Sequence, residues 1–340
     1  MRVSAVSKVL KADFIQRLPS FHPIGHPVSL PEFANDVRRG LSKEGQKELY
    51  SKYLYDDVGS ALFDTITVLP EYGLTRADAR LLHQHSDDLA SRLRNPSLVV
   101  ELGSGSGTKT RWVLSALASR QPVTYCPVDV SESALHNCWR DLHQMNSVEV
   151  VPLALSYLDG LRQAVDLRPE GTSLLVLFLG STLGNFEPER ATEFMSDIRQ
   201  LMLPGDVFYV STDLQKEKAR VIDAYADSIG VTAAFNLNLL ARINRELGAN
   251  FVLTQFAHEA RYDSKANRIE MHLRSLSNQT VTIGRDFKCL LREGETIWTE
   301  SSYKFRCEDI AALARHTGFA CEVQWVDQEW PFAQSLLRAV

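Results

Sequence analysis

The 340-residue sequence has no stretch of apolar residues long enough to cross a membrane, which takes about 18 of them in succession. Its first residues also lack the apolar core of a secretion signal. Cysteine is scarce, since only five occur and none forms a Cys-x-x-Cys pair, which argues against a disulfide framework or a zinc site. These absences predict a cytoplasmic protein with reduced thiols, no membrane contact and no bound metal.

Basic charge is also scarce. The chain carries 37 Lys and Arg against 42 Asp and Glu, a formal net charge of −5, and has no run of basic residues. It therefore lacks the positive surface with which proteins bind nucleic acid. No internal repeat or low-complexity linker divides the chain, and no apolar stripe indicates a partner protein. We expect a monomer that acts on a small molecule.

The most informative stretch is a glycine-rich turn that follows a buried strand. Residues 98–100 are apolar, Glu101 ends the run, and three glycines at alternate positions from Gly103 to Gly107 precede a helical pattern from Thr108. Glycine permits positive φ and lets bare backbone approach a ligand, and a helix N-terminus attracts polar groups. A strand, a glycine turn and a helix together predict a nucleotide-type pocket.

Two details of this turn distinguish between nucleotide ligands. Thr108 follows the last glycine where a phosphate loop needs lysine, and the spacing is GxGxG where a dinucleotide fold needs GxGxxG. A second apolar run, residues 123–128, ends at Asp129, 22 positions after Gly107 and near the place of a ribose-binding acid. With Glu101 facing a cationic or amine group and Asp129 a ribose diol, the pattern favours S-adenosylmethionine. A glycine turn of some other α/β protein is the alternative.

Strand and helix patterns alternate after this turn. Strand-like runs at 148–153, 173–179 and 207–212 predict a doubly wound, Rossmann-like α/β sheet. A long helical region from Lys218 to Leu247 and several alternating runs then predict a second, smaller α+β module.

The predicted domain boundaries follow from this change of pattern. We expect the nucleotide-binding domain at 76–214 and 306–340, with a last strand at 321–326, and the smaller module and lid at 29–75 and 215–305. Residues 1–28 read as an arm that is either extended or disordered.

Two further features suggest a ligand site. Residues 53–76, ahead of the glycine turn, are rich in tyrosine, acidic and turn residues, and tyrosines suit a lid over a small polar ligand. Half-buried structural tyrosines are the alternative. Asn185 lies just beyond the strand-like run 173–179, at the strand end where open α/β sheets bind ligands.

Blocks in a fixed order carry a family resemblance over about residues 50–335. They include Tyr-Leu-Tyr-Asp-Asp at 53–57, Leu-Pro-Glu-Tyr at 69–72, Glu-Leu-Gly-Ser-Gly-Ser at 101–106, Gly-Ser-Thr-Leu-Gly-Asn-Phe at 180–186, Glu-Met-His-Leu at 270–273 and Thr-Glu-x-Ser-Tyr-Lys at 299–304. The sequence resembles the histidine-specific methyltransferases that make the trimethylated betaine precursor of ergothioneine. The resemblance implies a class I methyltransferase sheet, S-adenosylmethionine as cosubstrate, and methylation of the α-amine of L-histidine to hercynine.

The resemblance also implies roles for individual residues. Tyr55 corresponds to a lid tyrosine near the reacting groups, Tyr72 and Asn185 to residues that hold the α-amine, and these three are the candidate catalytic set. Tyr225 would hold the substrate carboxylate, and Glu270 with His272 would face its side chain. The glycine-turn motif and the resemblance together predict the cofactor contacts, which are Glu101, Gly103, Ser104, Gly105, Lys109, Asp129, Ser156, Tyr157 and Gly180. An amide carbonyl and a tyrosine hydroxyl can accept hydrogen bonds from an amine and so direct its lone pair.

Two departures from the family pattern concern recognition. Ser156 and Tyr157 stand where the family commonly has Asp and an aromatic residue that read adenine, and serine can still accept one hydrogen bond. His272 stands at the position of the second residue that contacts the substrate side chain, where a small hydroxyl residue is one solution known in the family. The same reaction on tryptophan, tyrosine or a modified amino acid therefore stays open, as does a catalytically silent cofactor-binding protein.

Overall fold

The structure, a computed structural model, describes residues 29–340, so the expected arm at 1–28 lies outside the described residues. The helices in this range are α1 (Leu30–Leu41), α2 (Asp57–Thr67), α3 (Gly73–Arg92), α4 (Arg111–Ala118), α5 (Glu132–Leu142), α6 (Tyr157–Val165), α7 (Pro188–Gln200), α8 (Lys218–Tyr225), α9 (Val231–Leu247) and α10 (Cys307–His316). The strands are β1 (Lys47–Glu48), β2 (Pro96–Leu102), β3 (Val123–Val128), β4 (Val148–Val150), β5 (Ser173–Phe178), β6 (Val207–Asp213), β7 (Phe256–Asp263), β8 (Arg268–Ser275), β9 (Gln279–Ile283), β10 (Phe287–Leu291), β11 (Thr296–Tyr303), β12 (Phe319–Asp327) and β13 (Phe332–Ala339). Single 3₁₀ turns lie at Ser51–Leu54, Thr182–Asn185 and Leu253–Gln255.

The larger sheet has seven strands in the order β4-β3-β2-β5-β6-β13-β12. Strands β2 to β6 are parallel, whereas β13 runs antiparallel to both β6 and β12. From β2 the chain builds outward to β4 and then crosses back to β5, so the strand order reverses between β2 and β5. Ligands bind at the carboxyl ends of the strands at such a reversal. The predicted doubly wound α/β fold is confirmed.

Helices cover both faces of this sheet, which is why its inner strands are continuous apolar runs. Val99 and Leu175 face a core that they share with α3, α4 and α5. Their neighbours Val100 and Val176 face a second core with α6, α7 and α10. Burial on both faces fixes the inner strands and hence the loops at their carboxyl ends.

A second sheet has the order β1-β11-β8-β7, and β9 and β10 form a separate two-stranded ribbon. Strand β8 is antiparallel to β7 and β11, and helices α8 and α9 pack against β7 and β8. All these strands come from the segments that we assigned to the smaller module, although the domain boundaries themselves stay a prediction. Within residues 29–340, none of the helices combines the length and the apolar character that crossing a membrane requires.

The long helix expected from Lys218 to Leu247 is broken after Tyr225. Gly230 adopts a φ of 81°, and α9 restarts one residue later. The Asp227 carboxylate caps this restart by accepting hydrogen bonds from the backbone nitrogens of Val231 at 2.8 Å and Thr232 at 2.7 Å. The break leaves Tyr225 as the last residue of α8, at the wall of a cleft.

Candidate active site

A cleft of about 1840 Å³ opens at the carboxyl ends of β2, β3 and β5 and continues to the second sheet. Pockets for one drug-sized ligand measure roughly 300–1,000 Å³, so this cleft has room for two molecules side by side. We call the part lined by the glycine turn at 103–107 the glycine end. The part lined by Tyr55, Tyr72, Tyr225 and their neighbours is the tyrosine end.

The glycine turn has the backbone geometry that its sequence predicts. Gly103, Gly105 and Gly107 have φ values of 73°, 52° and 65°, a region that other residues rarely adopt. The backbone nitrogen of Gly103 donates to the Val128 carbonyl at 2.8 Å, which ties the turn to the end of β3. A Cβ on Gly107 would lie 2.5 Å from the Cys138 sulfur, so only glycine fits there. Helix α4 begins at residue 111, three residues later than expected.

Two acids lie beside this turn, the buried Glu101 and the partly buried Asp129, and both line the cleft. Glu101 accepts hydrogen bonds from the hydroxyls of Thr110, at 2.6 Å, and Tyr125, and burial raises its pKa to about 7. The Asp129 carboxylate accepts from the backbone nitrogens of Gly105 at 2.9 Å and Ser131 at 3.0 Å, and burial raises its pKa. Asp129 thus holds the turn and has acceptor capacity left for a ligand in the cleft.

Lys109 and Gly180 meet at the glycine end through Asp78, a residue that the sequence did not single out. The buried Asp78 carboxylate lies 2.5 Å from the Lys109 Nζ and accepts from the Gly180 nitrogen at 3.1 Å. It also accepts from Ser211 and Gln334. Its position in an ordinary helical pattern gave no signal, because its four partners lie on two strands, β6 and β13, and on two loops far away in sequence.

Ser156 and Tyr157 line the same end of the cleft at the start of α6. Ser156 caps the helix, since its hydroxyl accepts from the Asp159 nitrogen at 3.4 Å and donates to the Asp159 carboxylate at 2.6 Å. The Tyr157 ring lies 3.3 Å from the place of a Cβ on Gly103 and packs edge-on against Phe178. Asp159, which also lines the cleft, brings a carboxylate to a position where the sequence had shown only serine.

The tyrosine end has an aromatic wall. Tyr55 lies edge-on to Phe63 and to Phe235, with ring centroids 5.5 Å apart in both pairs. Tyr72 lies edge-on to Tyr225 at 6.1 Å. Burial raises the pKa of all three tyrosines above the ordinary value, so each presents a neutral hydroxyl at neutral pH.

Polar side chains from a 3₁₀ turn and from strand β11 complete this end. Asn185 lies in the 3₁₀ turn after β5, and its Nδ2 is 3.4 Å from a carboxylate oxygen of Glu300 on β11. Glu300 is buried, which raises its pKa to about 7 despite the nearby Lys304. Ser302 lies two residues further along β11 and also lines the cleft. Glu300 and Ser302 are two residues apart in the Thr-Glu-x-Ser block, so in a strand their side chains lie on the same face. This spacing was the sequence signal that could have identified them.

The prediction that Glu270 and His272 face the substrate is wrong. Met271, which lies between them on β8, lines the cleft, so its two neighbours point to the opposite face of the strand. There the Glu270 carboxylate pairs with Arg268 at 2.7 Å and with the His272 Nε2 at 3.0 Å. Burial lowers the pKa of His272, which favours a neutral ring. Strand β8 thus contributes Met271 to the cleft, and β11 contributes the polar pair.

Comparison with known proteins agrees with this arrangement. The family model for S-adenosylmethionine-dependent, histidine-specific methyltransferases matches residues 33–339. The histidine N-alpha-methyltransferase of Mycobacterium tuberculosis is 41% identical over 304 residues, which cover 88% of this chain and 93% of that protein. The enzyme of the same name from Mycolicibacterium smegmatis is 38% identical with the same coverage. The 4-dimethylallyltryptophan N-methyltransferase of Claviceps purpurea is 28% identical over 58% of this chain and 59% of that protein. The chain belongs to the family of S-adenosylmethionine-dependent, histidine-specific methyltransferases.

Proposed function

We propose that this protein methylates the α-amine of L-histidine with S-adenosylmethionine and carries the reaction to the trimethyl betaine, hercynine. The observation that carries the proposal is the polar pair Glu300 and Ser302 at the tyrosine end of a cleft whose other end is a glycine turn with Asp129. One end suits a nucleoside, and the other suits a small ring with two nitrogens.

The glycine end fits S-adenosylmethionine. The turn at 103–107 leaves room for a ligand beside its backbone, since a Cβ on Gly105 would meet nothing within 4 Å. Asp129 would accept from the ribose hydroxyls, and Tyr157 would contact the base. Lys109 and the Gly180 backbone, which line the cleft and meet at Asp78, would face the amino-acid portion.

The tyrosine end fits histidine. The Glu300 carboxylate can accept an N–H of the imidazole, and the Ser302 hydroxyl can donate to or accept from the other ring nitrogen. Tyr72 and Asn185 would accept hydrogen bonds from the α-amine, and Tyr225 would donate to the carboxylate. Glu300 also accepts from the Asn185 amide nitrogen at 3.4 Å, and this contact does not use the amide carbonyl oxygen that would accept from the α-amine.

Catalysis would rest mainly on orientation in a site without water. Bound S-adenosylmethionine supplies a methyl group on a sulfonium, and each transfer forms one N–C bond and breaks one C–S bond. The amine must be neutral to react, so converting an ammonium into a trimethylammonium releases three protons. The aromatic wall of Tyr55, Phe63 and Phe235 excludes water, and Tyr72 with Asn185 directs the lone pair.

The alternatives raised by the sequence are not favoured. An indole or a phenol has one polar hydrogen and leaves either Glu300 or Ser302 without a partner, which is costly in a buried site. The two relatives named for histidine are 41% and 38% identical, whereas the relative named for a tryptophan derivative is 28% identical over a shorter stretch. A silent binding protein would need no such matched polar set.

A panel of amino acids tests the proposal. The protein is incubated with S-adenosylmethionine and with histidine, its mono- and dimethylated forms, tryptophan or tyrosine, and release of S-adenosylhomocysteine is measured. We expect turnover with histidine and both methylated forms. Turnover with tryptophan or tyrosine but not with histidine would contradict the proposal, as would the absence of turnover in a protein that binds S-adenosylhomocysteine.

The partner of the site is a small molecule, and we expect the protein to act as a cytoplasmic monomer without nucleic acid. Light scattering on the purified protein measures its mass directly, and a mass above that of one 38.2 kDa chain would contradict the monomer.

A further inference from the structure

A buried ion cluster of Asp213, Lys216 and Lys304 lies behind the tyrosine end of the cleft. The Lys304 Nζ is 3.0 Å from one Asp213 carboxylate oxygen, and the Lys216 Nζ is 2.6 Å from the other. All three side chains are at most 2% exposed. Two ammonium groups face one carboxylate, so the cluster has an excess of one positive charge out of contact with water.

The two lysines of this cluster differ in what else they contact. The Lys304 Nζ lies 2.8 Å from the Ser302 hydroxyl and 3.2 Å from the Tyr225 hydroxyl, and both hydroxyls belong to residues that line the cleft. The Lys216 Nζ donates instead to the Leu214 carbonyl at 2.6 Å. Lys304 therefore connects the cluster to the cleft, and Lys216 faces away from it.

The hydrogen bonds of Lys304 determine which way the Tyr225 hydroxyl can donate. An ammonium has three N–H groups and no acceptor, and Lys304 has three partners in Asp213, Tyr225 and Ser302. The Tyr225 oxygen accepts from Lys304, so its own hydrogen is available to an acceptor in the cleft. A carboxylate is the acceptor that gains most, because it also meets the positive charge of Lys304, which contacts the same hydroxyl.

The charges around the cluster support this reading. Burial alone would raise the pKa of Asp213, but Lys304 and Lys216 lower it below its usual value, so Asp213 is an anion at neutral pH. Burial lowers the pKa of Lys216 to about 8, which leaves it mainly charged at neutral pH. Glu300 is the carboxylate at this end of the cleft, and with a pKa near 7 it cancels the excess charge only in part.

We propose that Lys304 is a positioning residue that selects for a free carboxylate on the substrate, acting through Tyr225. A carboxylate that leaves water needs both hydrogen bonds and a compensating charge, and Lys304 supplies the charge and fixes the donor. The inference rests on the proposed function, since it takes an imidazole-bearing α-amino acid as the substrate. An amine of the same shape without the carboxylate lacks the group that Lys304 compensates.

The test compares L-histidine with L-histidinamide, in which a neutral amide replaces the carboxylate. kcat and KM are measured for both compounds with the wild type, Lys304→Met and Lys216→Met. For each protein we take the ratio of kcat/KM for histidine to kcat/KM for histidinamide and compare this ratio between variants. The two amines differ in intrinsic reactivity, but that difference is the same for every variant and cancels. Lys216→Met is the matched control, since it removes an ammonium from the same carboxylate without touching the cleft.

We expect Lys304→Met to lower kcat/KM for histidine about tenfold or more, mainly by raising KM. The kcat/KM for histidinamide should change much less. Lys216→Met keeps the Lys304 ammonium and its contact with the Tyr225 hydroxyl, so it should change the ratio much less than Lys304→Met does. Equal losses for both compounds in Lys304→Met would reduce Lys304 to a structural role. A wild type that uses histidinamide as well as histidine would overturn the inference without any variant.

Two controls separate failure of this inference from other failures. Affinity for S-adenosylhomocysteine shows whether each variant is folded, and Lys304→Gln, which keeps a neutral donor, replaces Lys304→Met if the latter does not fold. Lys304→Gln should also lose the preference for histidine, because the charge is gone. A wild type that methylates neither compound refutes the proposed function and is distinct from one that methylates both equally.

Discussion

Replacing Glu300 by glutamine removes one negative charge from the tyrosine end and keeps the size of the side chain. If the carboxylate accepts an N–H of the substrate ring, the lost interaction is a hydrogen bond to an ionised group. Such bonds contribute about 1.5–3 kcal/mol, which corresponds to about 10- to 150-fold in kcat/KM. We therefore expect Glu300→Gln to lower kcat/KM for histidine by a factor in this range above neutral pH.

The pH dependence of this loss follows from the pKa of Glu300. Burial raises that pKa to about 7, so the carboxylate predominates at higher pH and is protonated as the pH falls through 7. At about pH 6 roughly one-tenth of the side chains are still ionised, whereas at about pH 8 roughly nine-tenths are. The ratio of wild-type to Glu300→Gln kcat/KM should therefore be large at the higher pH and shrink toward the lower one.

The assay is the kcat/KM for histidine across this pH range for both proteins. The ratio removes the titration of the substrate's own groups, since they titrate alike in both assays. Glu270→Gln is the matched control, because Glu270 lies on the neighbouring strand with its side chain on the opposite face. A constant ratio across the pH range, or an equal loss in Glu270→Gln, would refute the role given to Glu300.

The remaining predictions concern the cofactor contact, the amine and the glycine turn. Asp129→Asn should weaken S-adenosylhomocysteine binding about tenfold in calorimetry, because the ribose loses charged acceptors, and unchanged affinity in a folded protein would remove Asp129 from the ribose site. Asn185→Ala should lower the single-turnover rate of methyl transfer far more than cofactor affinity, whereas equal losses would move Asn185 into the cofactor site. Gly107→Ala should lower the free energy of unfolding by about 1–3 kcal/mol, since the new Cβ would lie 2.5 Å from the Cys138 sulfur at a φ of 65°. An unchanged melting temperature would show that the turn can relax.

The parts of the fold that the sequence predicted are those set by local pattern. Two apolar runs end at a clear stop signal, the run at 123–128 at Asp129 and the run at 98–100 at Glu101 and the glycine turn. Strand β3 spans residues 123–128, as predicted. The last strand, β13, was missed because Gln334 and Ser335 interrupt its apolar pattern. Both are fully buried, and Gln334 is satisfied by Tyr209 and Asp78, which lie far away in sequence.

The assignment of the side-chain readers failed for a related reason. Alternation places Glu270 and His272 on one face of β8 as correctly as it places Glu300 and Ser302 on one face of β11. It cannot say which face meets the cleft. The register settles this, since a bulge at Thr299 pairs Glu300 with Met271 and turns both toward the cleft. Bulges and strand register depend on tertiary packing and leave no pattern in the local sequence.

The proposed function requires one cleft to bring a sulfonium methyl to the α-amine of histidine. Its most direct test is the reaction of the wild-type protein with histidine and S-adenosylmethionine carrying a ¹³C-labelled methyl group, followed by NMR of the product. We expect the label to appear as three equivalent methyl groups on the α-nitrogen. Label on a ring nitrogen, or no labelled histidine from a protein that binds S-adenosylhomocysteine, would contradict it.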